Sequence, residues 1–256
     1  MTFLRQSRIL SQYGPPVAAI AATIFVWHAV SVWFGVSTLI LPSPGTVLET
    51  AFQYRAILPK HTIVTIVETI LGILVSLVIS VPLAIMIVWS PLLRRTIYPL
   101  ILGMQSIPKV ALAPLFLIWI GYGMSSKVLI AASIAFFPIL VNTVTGLAMV
   151  ERDLLDMVKV LRASTFQTFV KIRIPSAMPY FFSGTKVAVT LAVIGAVVGE
   201  FVGSDEGLGY LIMVSGAELN TAMVFVALTI LSIMGALMFE AIGVLQRILC
   251  PWSVGE

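Results

Sequence analysis

Residues 63–89 read IVTIVETILGILVSLVISVPLAIMIVW, a run of 27 positions with one ionisable side chain, Glu68. About 20 apolar residues in a helix cross a hydrocarbon layer about 30 Å thick. The run exceeds that length. It also lacks the polar face that a helix on the surface of a water-soluble domain carries. It predicts a transmembrane helix, and the rest of the chain repeats the pattern. Further apolar runs occupy roughly residues 15–34, 97–120 (interrupted by prolines), 128–150, 178–202 and 222–245. The fold class expected is all-α, a polytopic membrane protein of about six transmembrane helices. With no internal repeat, low-complexity tract or linker, residues 1–256 read as a single transmembrane domain. Arg5 and Arg8 ahead of Val17–Trp27 have the layout of a signal peptide. The apolar run continues to Phe34, too long for that, so an uncleaved first helix is expected.

Composition agrees. Hydrophobic residues make up 59% of the chain and charged residues 10%, against about 45–50% and about 25% in ordinary soluble domains. The mean hydropathy is +1.09. The net charge is +4, but the basic residues sit in short clusters between apolar runs, with no basic stripe, which excludes nucleic acid as a partner. One cysteine, Cys250, rules out an intrachain disulfide. Two isolated histidines, His28 and His61, with no HExxH motif, speak against a metal centre.

The charges set an orientation. With the N-terminus in the cytoplasm, the inner segments hold Arg5, Arg8, Arg94, Arg95, Arg152, Lys159, Arg162, Lys171, Arg173 and Arg247. The outer segments hold only Arg55, Lys60 and Lys127. Lys109 and Lys186 fall inside spans. The positive-inside rule places both termini in the cytoplasm, and an even number of spans satisfies it.

The inner loop over residues 151–175 is the most charge-dense stretch. Leu154, Leu155, Val158 and Leu161 recur at helical spacing, with Asp153, Asp156, Lys159 and Arg162 between them. Ser164-Thr165-Phe166-Gln167 fits a capping box, so a second short helix is expected to start at Ser164 and to end before Pro175. The residues alone leave two uses open: a solvated connection packed on the bundle, or a docking element for a cytoplasmic partner.

Within this loop, residues 155–164 (LDMVKVLRAS) followed by Ile172-Arg173-Ile174-Pro175 resemble the EAA loop of binding-protein-dependent ABC importer permeases. Ser106-Ile107-Pro108, Trp119-Ile120-Gly121-Tyr122-Gly123, Val198-Gly199-Glu200 and Gly207-Leu208-Gly209-Tyr210 resemble the nitrate/sulfonate/taurine-type group of that family, as does Pro42-Ser43-Pro44. The likeness runs from about Leu41 to Arg247. It implies a type I ABC importer permease fold in the bacterial cytoplasmic (inner) membrane. It also implies two nucleotide-binding ATPase subunits, a second permease chain (the same or a related one), and a periplasmic or lipoprotein solute-binding protein. Asp156, Lys159, Arg162, Ala163, Ser164 and Pro175 then stand where the family couples to its ATPase. The chain departs from the pattern in three places. Asp156-Met157-Val158 replaces E-A-A, Arg162 stands for the usual glycine and Ile174 for the usual leucine. A glycine there suits a left-handed turn after the helix; arginine in that conformation costs roughly 1 kcal/mol.

No GxxxxGK[ST] motif occurs; Gly184-Thr185-Lys186 lacks the upstream glycine. The chain is therefore expected to be a transport subunit and not an enzyme. It should carry no cofactor, with ATP bound by a partner. Within the spans, Gln105, Ser106 and Lys109 lie beside Pro108 and Pro114, which interrupt the helix where broken backbone lines a cavity or is buried in protein. These three and Glu200 are the candidates for the translocation path. Glu68 reads as an interfacial carboxylate that snorkels. The alternative, a secondary transporter or channel without an ATPase partner, calls for midplane carboxylates and repeated halves; Glu68, Glu200 and Glu240 all lie towards span ends. The resemblance suggests a small solute, a sulfonate, nitrate, taurine or a vitamin precursor.

Overall fold

The computed structural model describes the backbone of residues 2–253 and the side chains of residues 14–151 and 153–252. The side chains of Arg5, Arg8 and Arg152, counted above for orientation, lie outside the described residues. All regular structure among the described residues is helical. The helices are α1 (Thr2–Trp33), α2 (Pro44–Gln53), α3 (Leu58–Trp89), α4 (Pro91–Met104), α5 (Ala113–Ile120), α6 (Met124–Ala148), α7 (Arg152–Val160), α8 (Thr165–Thr168), α9 (Ile174–Gly203), α10 (Leu208–Ala217) and α11 (Thr221–Leu249). Five helical stretches among the described residues are long and apolar enough to cross a membrane, and α4 with α5 makes a sixth if the bent pair counts as one span.

The chain divides into two compact units. The first comprises Met1–Pro59 and Leu211–Thr229. Ser43 opens α2 by accepting from the Thr46 amide at 3.2 Å, with Pro44 in the first turn, where its missing N–H costs nothing. The Trp27 Nε1–H donates to the Pro42 carbonyl at 3.0 Å, and the indole packs on Phe225. Thr221 Oγ1 donates to the Leu39 carbonyl at 2.6 Å.

The second unit, Lys60–Tyr210 with Ile230–Glu256, holds the candidate sites. Its centre is the pair α6 and α9, which approach through small residues. A Cβ added at Gly195 would lie 2.6 Å from the Ala131 Cα, and one at Gly184 would lie 2.6 Å from the Asn142 Cβ. Such close backbones let van der Waals contact and weak polar bonds hold helices together where lipid supplies no hydrophobic drive. Ala135 and Ile139 of α6, Ala188, Val189 and Ala192 of α9, and Ile73 of α3 form the buried centre. The α3 helix is tied in by Ser76, whose hydroxyl donates to the Ala132 carbonyl at 2.7 Å.

The α4–α5 pair bends by 84°. The last turn of α4 tightens into bonds three residues long, from the Gln105, Ser106 and Ile107 amides to the carbonyls of Leu102, Gly103 and Met104. Pro108, with no donor, ends the helix there. The two expected interruptions are not equivalent. Pro114 sits in the first turn of α5 and opens that helix, since no intrahelical donor is required there.

Candidate functional site

The loop between α6 and α9 is a short helix, a left-handed turn and a second helical start. The α7 helix ends in a Schellman turn. The Arg162 amide donates to the Lys159 carbonyl at 2.9 Å and the Ala163 amide to that of Val158 at 3.2 Å. Arg162 has φ +54°, so the left-handed turn is kept and an arginine occupies it. The capping box at Ser164 is formed in both directions. Ser164 Oγ accepts from the Gln167 amide at 3.2 Å, and the Gln167 side-chain oxygen accepts from the Ser164 amide at 2.9 Å. The second helix does not end before Pro175. A wider π-helical turn over Phe169–Arg173 carries it into α9, and Pro175 falls in the first turn of α9, where it is tolerated. One helical rod therefore runs from Thr165 to Gly203.

The loop is pinned by Val158, which is buried, and by Arg173, whose Nη1 donates to the Leu147 carbonyl at the end of α6 at 2.7 Å. Asp156 and Lys159 form an exposed ion pair at 2.7 Å, worth little by itself. Ala163 and Pro175 are half-buried, while Arg162 and Ser164 are exposed. Amphipathic spacing missed one feature. Met157, Val160 and Leu161, neighbours at helical spacing, are exposed, Val160 at 83% and Leu161 at 71%, and form an apolar ridge, with Phe166 exposed after the turn. The apolar signal at Leu161 was legible, but its direction was not, and the turn sends the side chain outward.

Gln105 and Ser106 are exposed at the bend. Lys109 is half-buried; its Nζ donates to the Gln105 carbonyl at 3.0 Å and lies 4.3 Å from the centre of the Phe137 ring. Its positive charge thus caps the carbonyl end of α4 and rests on an aromatic face.

Glu200 lies apart from the bend residues, fully buried near the end of α9. Its carboxyl, together with α3, receives the start of α10. The Gly209 amide donates to Glu200 Oε2 at 2.5 Å, the Leu208 amide to Thr65 Oγ1 at 2.9 Å and the Gly207 amide to His61 Nδ1 at 3.0 Å. Thr65 also bonds Glu200 Oε1 at 2.6 Å. Three successive amides at a helix start, which lack intrahelical partners, are thereby satisfied by side chains of two other helices. Gly207 has φ +115°, and a Cβ there would overlap the Glu200 carboxyl, so both conformation and space require glycine. Glu68, expected at an interface, is fully buried beside Glu200 and ion-paired with Lys127. Lys127 in turn donates to Ser204 Oγ at 2.8 Å. Beyond the membrane segments, Lys60 pairs with Glu206 at 2.5 Å and holds its carboxyl below the ordinary value.

These features define a class: a multi-pass helical membrane protein with a broken span and an ordered, apolar-ridged loop between two closely packed helices. Residues 72–252 match the family model described as binding-protein-dependent transport system inner membrane component. The chain belongs to that family, and it is an ABC transporter permease subunit. It is 36% identical over 240 residues to the formylaminopyrimidine transport permease protein ThiX of Halalkalibacterium halodurans, covering 91% of this chain and 96% of that protein. It is 26% identical over 243 residues to the taurine transport system permease protein TauC of Escherichia coli K12, covering 92% of this chain and 88% of that one. In fold it resembles a chain of the inward-facing MetNI methionine ABC transporter, with a TM-score of 0.56 at 20% identity, covering 70% of this chain and 93% of that one. The all-α, type I importer fold expected from sequence is the one found, in a multi-pass inner-membrane protein.

Proposed function

We propose that the chain is one transmembrane domain that passes a small solute inward, driven by ATPase subunits that dock on the 151–175 loop. The observation that carries the docking is the exposed ridge of Met157, Val160 and Leu161, with Phe166 exposed after the turn, on a loop whose two turns are fixed by the Schellman and capping bonds. A preformed apolar surface on a charged loop suits insertion into a partner's groove, because its ordering cost is already met. Asp156, Lys159, Arg162, Ala163, Ser164 and Pro175 shape or rim that surface. The chain carries no ATP site or cofactor of its own; a second permease chain and an external solute-binding protein complete the machine. Both termini lie in the cytoplasm.

Gln105 and Ser106, exposed where α4 breaks, line the path. Lys109 shapes the bend, and Glu200 positions α10. For the solute we propose a small heterocycle of the formylaminopyrimidine kind in preference to a sulfonate. The 36% identity to ThiX supports this, against 30% to the putative aliphatic sulfonates transport permease protein SsuC of Bacillus subtilis and 26% to TauC. The test is co-purification from native membranes. A P-loop ATPase should be retained by the wild type and lost from Leu161→Asp/Phe166→Asp, while variant and wild type insert equally. An ATPase that stays bound to the variant would sink the docking role, and a chain that carries flux alone, without ATP, would sink the reading as a whole.

A further inference from the structure

Two cavities open at the loop end of the second unit, on the same faces of the same helices. The first, about 420 Å³, is lined by Trp89 and Val88 of α3, by Lys159, by Thr165 and Thr168, and by Arg173. Among the described residues no acidic one lines it. Asp156 pairs with Lys159 only through exposed atoms, and Arg173 spends one nitrogen on the Leu147 carbonyl, which leaves further donors on the same guanidinium. The second cavity, about 210 Å³, is wholly apolar, with Val81 and Ile85 of α3 facing Ile174 and Phe181 of α9. Positions 81, 85, 88 and 89 fall on one stripe of α3. The cluster of Leu147, Phe169 and Ala177, on which Ile85, Val88 and Ile174 pack, lies between the two cavities. The result is a basic, hydroxyl-bearing recess followed along α3 and the Thr165–Gly203 rod by an apolar slot.

We propose that this groove holds one anionic phospholipid, its phosphate against Lys159, Arg173, Thr165 and Thr168 and one acyl chain between Val81, Ile85 and Phe181. Charge complementarity selects the headgroup, since basic side chains near a membrane surface attract anionic lipid. The apolar slot selects a lipid over a free phosphate. The assignment does not depend on the solute proposed above. In the orientation proposed, the lipid belongs to the inner leaflet and sits against the hinge of the docking loop.

The test uses the full-length chain with the partners it retains, exchanged into nanodiscs of equimolar phosphatidylglycerol and phosphatidylcholine, then extracted for native mass spectrometry. The wild type should retain one phosphatidylglycerol about tenfold over phosphatidylcholine. Thr168→Glu should bring that ratio near one, and Thr168→Gln, equally polar but uncharged, should preserve it. Val81→Trp, which fills the slot, should lower retention of both lipids. A monodisperse elution profile checks that each variant is folded. Equal retention of the two lipids by the wild type overturns the proposal, as does unchanged retention in Thr168→Glu or Val81→Trp. Full displacement by 10 mM inorganic phosphate would show a phosphate site and not a lipid site. Loss of the lipid whenever the ATPase is bound would assign the groove to a partner segment.

Discussion

Lys127→Met tests whether the buried cluster at the far end of α9 is organised by charge. Lys127 and Glu68 are 8% and 0% exposed at their side chains, so neither reaches bulk water. Methionine nearly matches lysine in length but leaves Glu68 without its ammonium. Removing one partner of a buried pair costs about 3–5 kcal/mol, and losing the bond to Ser204 adds about 1 kcal/mol. In a chain of this size that is a fall in Tm of about 10–20 °C. Glu68→Met should cost less, because Lys127 keeps its bond to Ser204 and a carboxyl crowded against Glu200 is removed. The double variant Glu68→Met/Lys127→Met removes the charge conflict and should recover most of the loss, since a buried pair replaced by apolar residues of similar volume is close to neutral. The assay is thermal unfolding of detergent-solubilised protein followed by size-exclusion fluorescence. Equal losses in the two single variants, or a double variant as unstable as Lys127→Met, would refute the reasoning.

Three further outcomes follow from the same geometry. Thr65→Val keeps the shape but strands the Leu208 amide and Glu200 Oε1; it should cost about 2–4 kcal/mol, read as faster hydrogen exchange in α10. Gly195→Leu sets side-chain atoms against the backbone of α6 and should cost about 3 kcal/mol or more, read as loss of folded protein in membranes. Arg162→Gly relieves a left-handed arginine and should stabilise the loop by about 1 kcal/mol, seen as roughly fivefold slower exchange at the end of α7.

The Glu206 carboxyl supplies a pH prediction. The Lys60 ammonium beside it lowers its folded-state value below the ordinary 4.5. A group depressed in the folded state contributes its stability above the unfolded value and loses it as pH falls through the folded one. The pair should therefore hold from neutral pH down to about 4.5 and fail only below it, with a small effect at so exposed a site. Glu206→Gln should remove the acid-side dependence of hydrogen exchange at the start of α10, with exchange slightly faster than in the wild type at neutral pH and equal to it in acid.

Local signals in the sequence carried far, and pairings across the chain did not. The capping box at Ser164 was legible because both partners lie within four residues. The runs of apolar residues announced the spans because lipid makes length and composition nearly sufficient. Which proline breaks the third span was not legible, since it depends on where the preceding helix ends: Pro108 stops α4, while Pro114 is harmless in a first turn. Lys127 looked like an outer-loop residue and Glu68 an interfacial one. Each is buried because it faces the other across 59 positions of chain, and no local pattern encodes that. Glu200 drew notice as an ionisable residue in a span, but its partners, the Gly209 amide and the Thr65 hydroxyl, appear only once the start of α10 is folded against α3 and α9.

That arrangement bears on how a cytoplasmic motor could act at the opposite end. The rod from Thr165 to Gly203 begins in the 151–175 loop and carries, near its other end, Glu200, which grips the start of α10. Along its length it meets α6 through glycine and alanine, so backbones touch with few long side chains to deform. A displacement at Phe169 cannot be absorbed by rotamer changes along such an interface; it moves α9 as a body, or it is taken up at the π-helical turn, where the hydrogen-bond ladder is already loosened. Lengthening that turn by one residue would change the register between loop and rod by about 100°. It should uncouple ATP hydrolysis from transport while leaving both ATPase binding and the Tm of the bundle intact. If such an insertion transports normally, the rod is not the route by which the loop and the far end communicate.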